Sequence, residues 1–152
     1  MLARPDSLTA LIARAERERK PVVVLFSQAG CPYCEALRRE QLHPLAAEQH
    51  KRGVIVVEFD IADGRSFAPK APESSPGAGA RRATQPGAQP WLAAGAPVAL
   101  AHTLGIRVAP TVAFLGARGE LAERLVGYGA RDFYSAYLDD RIESARTAVS
   151  AR

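Results

Sequence analysis

The sequence predicts an α/β fold in which helices flank a central mixed β-sheet, with one insertion rich in Pro, Gly and Ala. Two observations carry that class. Pro21–Ser27 and Gly53–Asp60 are short apolar runs rich in β-branched residues, with a helical stretch between them, the pattern of a parallel βαβ unit. Thr111–Leu115 and Leu121–Val126 form a second pair of strand-like runs. Gly116, Arg118 and Gly119 lie between them, which reads as an antiparallel hairpin. A parallel pair and an antiparallel pair in one sheet make it mixed.

In chain order, Asp6 or Ser7 can cap a first helix whose apolar stripe is Leu8, Leu11, Ile12 and Ala15, and Pro21 is expected to end it. The strand to Ser27 follows. Cys34-Glu35-Ala36-Leu37-Arg38-Arg39-Glu40 is rich in helix formers, and His43-Pro44 should kink or restart that helix, since proline fits a first turn but not an interior. From about 62 to 95 the composition changes. Pro69, Pro72, Pro76, Pro86 and Pro90 alternate with Gly, Ala and Ser and with Arg65, Lys70, Arg81 and Arg82, as in a long loop that buries little. Trp91 is its one large anchor, expected to cover apolar surface. A helix from Pro97 to Leu104 ends at Gly105, a residue suited to a left-handed cap. The last helix should bury Phe133, Tyr137, Leu138, Ile142 and Ala145. With 152 residues, of which 47% are hydrophobic, the whole chain 1–152 suits one domain.

Both cysteines of the chain lie in Cys31-Pro32-Tyr33-Cys34, between a strand and a helix. Cys31 then meets the helix N-terminus, where free N–H groups and the helix dipole stabilise a thiolate, the nucleophilic form. Cys34, one turn deeper, can attack a mixed disulfide formed at Cys31. A tetrahedral zinc site needs four ligands, and beyond this pair the chain offers only the scattered His43, His50 and His102. A structural bridge gains little by closing so short a loop. The pattern therefore points to redox chemistry, with neither metal nor organic cofactor. The net charge of +4 is spread without a long basic block, so no nucleic-acid partner is expected. No apolar run approaches the roughly 18 residues of a membrane span.

With these landmarks in order, the chain resembles the thioredoxin superfamily over nearly everything outside the insertion. The resemblance rests on Gly30-Cys31-Pro32-Tyr33-Cys34, on Leu104-Gly105-Ile106-Arg107-Val108-Ala109-Pro110-Thr111, on the hairpin, and on Val126-Gly127-Tyr128-Gly129 before the last helix. Within the superfamily it is most similar to exported bacterial proteins of the SoxW type. The resemblance implies a thioredoxin-like fold with Cys31 and Cys34 as catalytic residues. It implies a cis Pro110 facing them, although only about 5% of X-Pro bonds are cis. A backbone bent there leaves Ala109 free to pair with an extended substrate. Pro32, Tyr33, Ala109, Pro110 and Thr111 would then line the substrate groove. Gly127 and Tyr128 would form its far wall, or Tyr128 would be a partly buried core aromatic.

Two departures qualify the resemblance. Thioredoxins proper carry Trp before the first cysteine and a buried Asp in the preceding strand, where this chain has Gly30 and Leu25. Leu25 cannot accept a proton, so the base for Cys34 is water, the leaving thiolate or a group the sequence does not identify; Glu35 and Glu40 read as solvated. The Pro-Tyr pair is also that of glutaredoxins, but the Gly-Gly-Asp pattern that those present to glutathione is missing. The function expected is thiol-disulfide exchange on protein disulfides, with a redox partner protein, in a monomer. Glutathione-dependent reduction and a redox-switched adaptor are the alternatives. The resemblance implies a periplasmic location, whereas a chain complete as given, with its charged, helix-like first twenty residues, would be cytoplasmic.

Overall fold

The computed structural model describes residues 2–68 and 90–151. Its sheet has four strands in the order β2-β1-β3-β4, with β1 at Val22–Ser27, β2 at Ile55–Asp60, β3 at Thr111–Gly116 and β4 at Gly119–Val126. β1 pairs in parallel with β2 and antiparallel with β3, and β3 pairs antiparallel with β4. The sheet is therefore open and mixed. Every residue of β1 and β3 is buried, because helices cover both faces, and such strands read as unbroken apolar runs.

The pleat divides the core into two layers. On one face Val23, Leu25, Val56, Val112 and Phe114 meet the active-site helix and the C-terminal helix. On the other, Val24, Phe26, Val57, Phe59 and Leu115 meet α1 (Leu8–Glu18) and α5 (Pro97–Leu104). α1 is capped by Ser7, whose hydroxyl accepts from the Ala10 N–H at 3.2 Å, and it buries Leu8, Leu11, Ile12 and Ala15. It stops at Glu18, before Pro21 can act, because Arg19 adopts a left-handed conformation and its N–H closes onto Ala15 and Glu16.

After β1 the chain runs through α2 (Pro32–Leu37), a π-helical turn (Arg38–Leu42), α3 (His43–Ala47) and α4 (Gln49–Arg52). His43-Pro44 restarts the helix, with proline in its first turn. α5 ends at Gly105, whose φ of 72° is the left-handed cap. In the hairpin, Gly116 and Gly119 pair with each other, which narrows the turn to Ala117-Arg118.

Two further expectations are corrected. In α6 (Arg131–Ser150) the buried stripe is Tyr134, Leu138, Ile142 and Ala145, whereas Phe133 and Tyr137 are 65% and 47% exposed. Phe133 and Tyr137 lie one residue, about 100° of rotation, off the buried row. The ends of the 62–95 stretch also bury more than its composition suggests. Phe67 packs edge-on against Phe59 with centroids 5.5 Å apart, its N–H donates to the Gly95 carbonyl at 2.7 Å, and a 3₁₀ turn at Pro90–Ala93 seats Trp91, 4% exposed, against the α1 side of the sheet. Pro69, Lys70, Pro72, Pro76, Arg81, Arg82 and Pro86 lie outside the described residues. Among the described residues, no helix is long and apolar enough to cross a membrane.

Candidate active site

β1 delivers the chain to the sheet's C-terminal edge, where Gly30 turns it at φ 73°, a conformation costly for any residue with a Cβ. Cys31 is then the N-cap of α2 and Pro32 occupies its first turn. Cys31 is half-buried, and its Sγ accepts the Cys34 N–H at 3.2 Å. The sulfur thus satisfies an otherwise unpaired helix N–H. Cys34 is fully buried one turn behind, and both cysteines are free thiols. Burial first, then the hydrogen bond to Cys31, pushes the Cys34 thiol up to about 12; a backbone hydrogen bond at Gln28 and the charge of Arg38 act in the opposite direction.

Facing the pair is the loop before β3. Ala109-Pro110 is a cis peptide, and the Ala109 carbonyl oxygen lies 3.9 Å from Cys31 Sγ. Thr111 is buried, and its hydroxyl donates to the Val108 carbonyl at 2.6 Å. The Pro110 carbonyl accepts from the Gly127 N–H at 2.7 Å. Ala109 is half-buried and Pro110 buried, while Tyr33 is 60% and Val108 50% exposed beside them. Cys31, Pro32, Tyr33, Val108 and Ala109 therefore all expose surface around the pair.

Tyr128 occupies the second of its two expected places. It is 3% exposed, stacks edge-on against Tyr134 with centroids 4.9 Å apart, and its hydroxyl donates to Glu40 at 2.7 Å. Arg131 closes this cluster with bonds of 3.2 and 2.5 Å to Glu40. The hydrogen bonds from Tyr128 and Arg131 hold the Glu40 carboxyl below its ordinary value. The cluster ties the π turn to the start of α6.

A buried charged group that the sequence reading did not anticipate is bonded to Arg38, just after α2. Glu58 of β2 is fully buried opposite Leu25 in the β1–β2 register. Arg38 donates to its two oxygens at 3.0 and 2.5 Å, Ser27 at 2.6 Å and Arg4 at 3.2 Å. Burial alone would raise this carboxyl; the bonds from Arg38 and Ser27 and the charges of Arg38 and Arg4 hold it below the usual carboxylate range. The signal was a lone Glu inside Val54-Ile55-Val56-Val57-Glu58-Phe59, since a carboxylate inside a doubly covered strand must find a cation.

Fold and site together define a thiol oxidoreductase of the Cys-x-x-Cys kind. The chain belongs to the thioredoxin-like domain family, which it matches over residues 8–142. Solved structures similar to it include thioredoxin O2 from Arabidopsis thaliana (14% identity, 91% of this chain and 93% of that one, TM-score 0.50). The DsbH oxidoreductase is similar at 15% identity, with 100% and 88% covered and a TM-score of 0.50. The periplasmic thioredoxin SoxS from Paracoccus pantotrophus shares 19% identity, with 83% and 99% covered and a TM-score of 0.47. Among curated proteins, none matches the sequence significantly.

Proposed function

We propose that this protein exchanges its Cys31–Cys34 dithiol with disulfides of other proteins. The observation that carries the reading is the contrast within the pair: Cys31 Sγ is accessible and holds a helix N–H, while Cys34 is sealed behind it. The Cys31 thiolate attacks a substrate disulfide and expels one substrate thiolate. The mixed disulfide lies along Ala109-Pro110, where the backbone of Ala109 pairs with the extended substrate and Pro32 and Tyr33 bound the groove, with the buried Thr111 bracing the loop from behind. Cys34 then loses its proton and attacks Cys31 Sγ, which closes the Cys31–Cys34 disulfide and releases the second substrate thiol. Two electrons pass to the substrate, and a redox partner protein restores the dithiol. A single copy of one domain, residues 1–152, carries every group in this cycle. A periplasmic place of action is part of the proposal, since protein disulfides persist there.

Trapping tests it. Cys34→Ser keeps the nucleophile but removes the intramolecular exit, so protein partners should accumulate on Cys31 as dithiothreitol-sensitive adducts in non-reducing gels of source-cell lysate. Cys31→Ser should trap almost nothing. Equal trapping by both variants, or by neither, would overturn the protein-disulfide reading in favour of glutathione chemistry or an adaptor role.

A further inference from the structure

The fully buried Glu58 and its partner Arg38 have no part in the cycle above, yet Arg38 stands on the helical turn that follows the buried Cys34. Arg38 follows Cys34 by one helical turn, and its N–H donates to the Cys34 carbonyl. Helical side chains lean toward the N-terminus, so the Arg38 stem is directed back over the turn that holds Cys34. Its guanidinium is fixed by the two-pronged bond to Glu58, with 20% of the side chain exposed. Arg4 and Ser27 complete the shell around the carboxylate.

A carboxylate near a resolving cysteine suggests a general base, but this one is unsuited to that role. Both of its oxygens already accept bonds, from Arg38, Ser27 and Arg4, and each of those bonds favours its ionised form. Accepting the Cys34 proton would require breaking them within a buried shell. A guanidinium cannot take a proton at all, but it can favour a thiolate by charge. The charged groups that act on Cys34 are Cys31 and Arg38; Arg38 in turn holds Glu58 of β2, which Arg4 of the N-terminal segment also contacts, and Glu35 on the same helix is exposed. Arg38 and Glu58 form the buried pair, and Arg4 adds a second guanidinium at its exposed rim, so the carboxylate charge is more than matched by cations.

We propose that Arg38, held in place by Glu58, is the positioning residue that stabilises the Cys34 thiolate in the resolving step, while the Cys34 proton leaves to water. The inference rests on the dithiol reading above, so its test uses a small disulfide and no protein partner. Reduced protein is mixed with 5,5′-dithiobis(2-nitrobenzoate). Cys31 attacks, releasing one thionitrobenzoate and forming a mixed disulfide; Cys34 then loses a proton to solvent, attacks Cys31 Sγ and expels a second thionitrobenzoate as the internal disulfide forms. The second phase of colour release is the resolving step, and its pH dependence reports Cys34.

Arg38→Met should slow the second phase and leave the first unchanged. Each unit by which the Cys34 thiol rises cuts its thiolate fraction about tenfold. Nucleophilicity recovers with a Brønsted slope of about 0.4–0.5, so the net loss is about three- to fourfold per unit at fixed pH. The pH profile of alkylation of Cys34 in a Cys31→Ala background should move up in parallel. Arg38→Lys should restore most of both. If Arg38→Met does not fold, the uncharged pair Arg38→Gln with Glu58→Gln replaces it and should slow the second phase in the same sense but by less, since the carboxylate charge goes with the cation.

Unchanged second-phase rates and pH profiles on removal of the Arg38 charge would overturn the proposal. So would slowing by Glu58→Gln with Arg38→Met unaffected, which would make the carboxylate the base. Equal slowing by Arg38→Lys and Arg38→Met would also overturn it, since shape and not charge would then matter. Release of no second thionitrobenzoate by the wild type would instead defeat the dithiol reading itself.

Discussion

At the scale of single residues, the two cysteines differ more than their spacing implies. Cys31 caps a helix at a half-buried edge, and Cys34 is sealed with its thiol pushed up to about 12. A thiol raised in this way is almost wholly protonated at neutral pH. Reduced protein treated with iodoacetamide should therefore take up one equivalent rapidly, on Cys31, and the second far more slowly. Intact mass against time, with peptide mapping, checks this. The fast phase should vanish in Cys31→Ser and persist in Cys34→Ser; a fast phase on Cys34 would reverse the assigned roles. The cysteine pair was legible in the sequence because four contiguous residues on a strand-to-helix junction contain most of the geometry. The Glu58–Arg38 bond was not, because its partners are twenty residues apart, and only the register of β2 beside β1 puts Glu58 opposite Leu25 and under α2.

At the scale of elements, strands and caps were legible because their signals are local. Ser7 caps α1 and Gly105 closes α5 as read, and both faces of β1 proved buried. What failed was the start of the α6 stripe: Leu138, Ile142 and Ala145 are buried as read, but Tyr134 and not Phe133 or Tyr137 joins them. The row through Tyr134 continues into Leu138, Ile142 and Ala145, whereas the row through Phe133 and Tyr137 runs on into Asp140, Arg141 and Ser144, so the two large exposed aromatics drew the reading off the continuous row. Packing decides, and it predicts opposite mutational outcomes. Leu138→Ala should cost about 2–5 kcal/mol and Phe133→Ala within about 0.5 kcal/mol of nothing, read by urea denaturation. Equal costs would mean that the helix is rotated from the placement described. The 62–95 stretch divides the same way. Trp91→Ala removes a buried indole and should cost about 3–5 kcal/mol. Replacing residues 69–89 with about eight Gly/Ser residues should change stability by less than about 1 kcal/mol, because closure entropy varies only slowly with loop length. A large loss on that replacement would show that the segment contributes to the core.

At the scale of the whole molecule, the fold buries one carboxylate between its two core layers' shared sheet and the active-site helix, so stability is linked to pH. Both Glu58 and Glu40 are held below their ordinary values, Glu58 against the burial that would raise it and Glu40 by the bonds from Tyr128 and Arg131. For a carboxyl whose folded value is depressed, the stabilisation is complete above its unfolded value of about 4.3. It is lost as pH falls through the folded value. Unfolding free energy should therefore be level with respect to these groups at neutral pH and decline below about pH 4.5. Glu58 carries the larger share, since Glu40 lies at the surface, where solvent screens its pair. Glu58→Gln leaves Arg38 with a weaker acceptor and should cost about 3 kcal/mol at pH 7, within the range for breaking a buried pair. A domain of ordinary stability, about 5–15 kcal/mol, stays folded after that loss. Because the glutamine cannot titrate, the gap between wild type and variant should shrink as pH falls toward 3. Denaturant titrations at several pH values measure it, and curves that remain parallel down to pH 3 would show that the buried carboxylate does not carry the acid sensitivity.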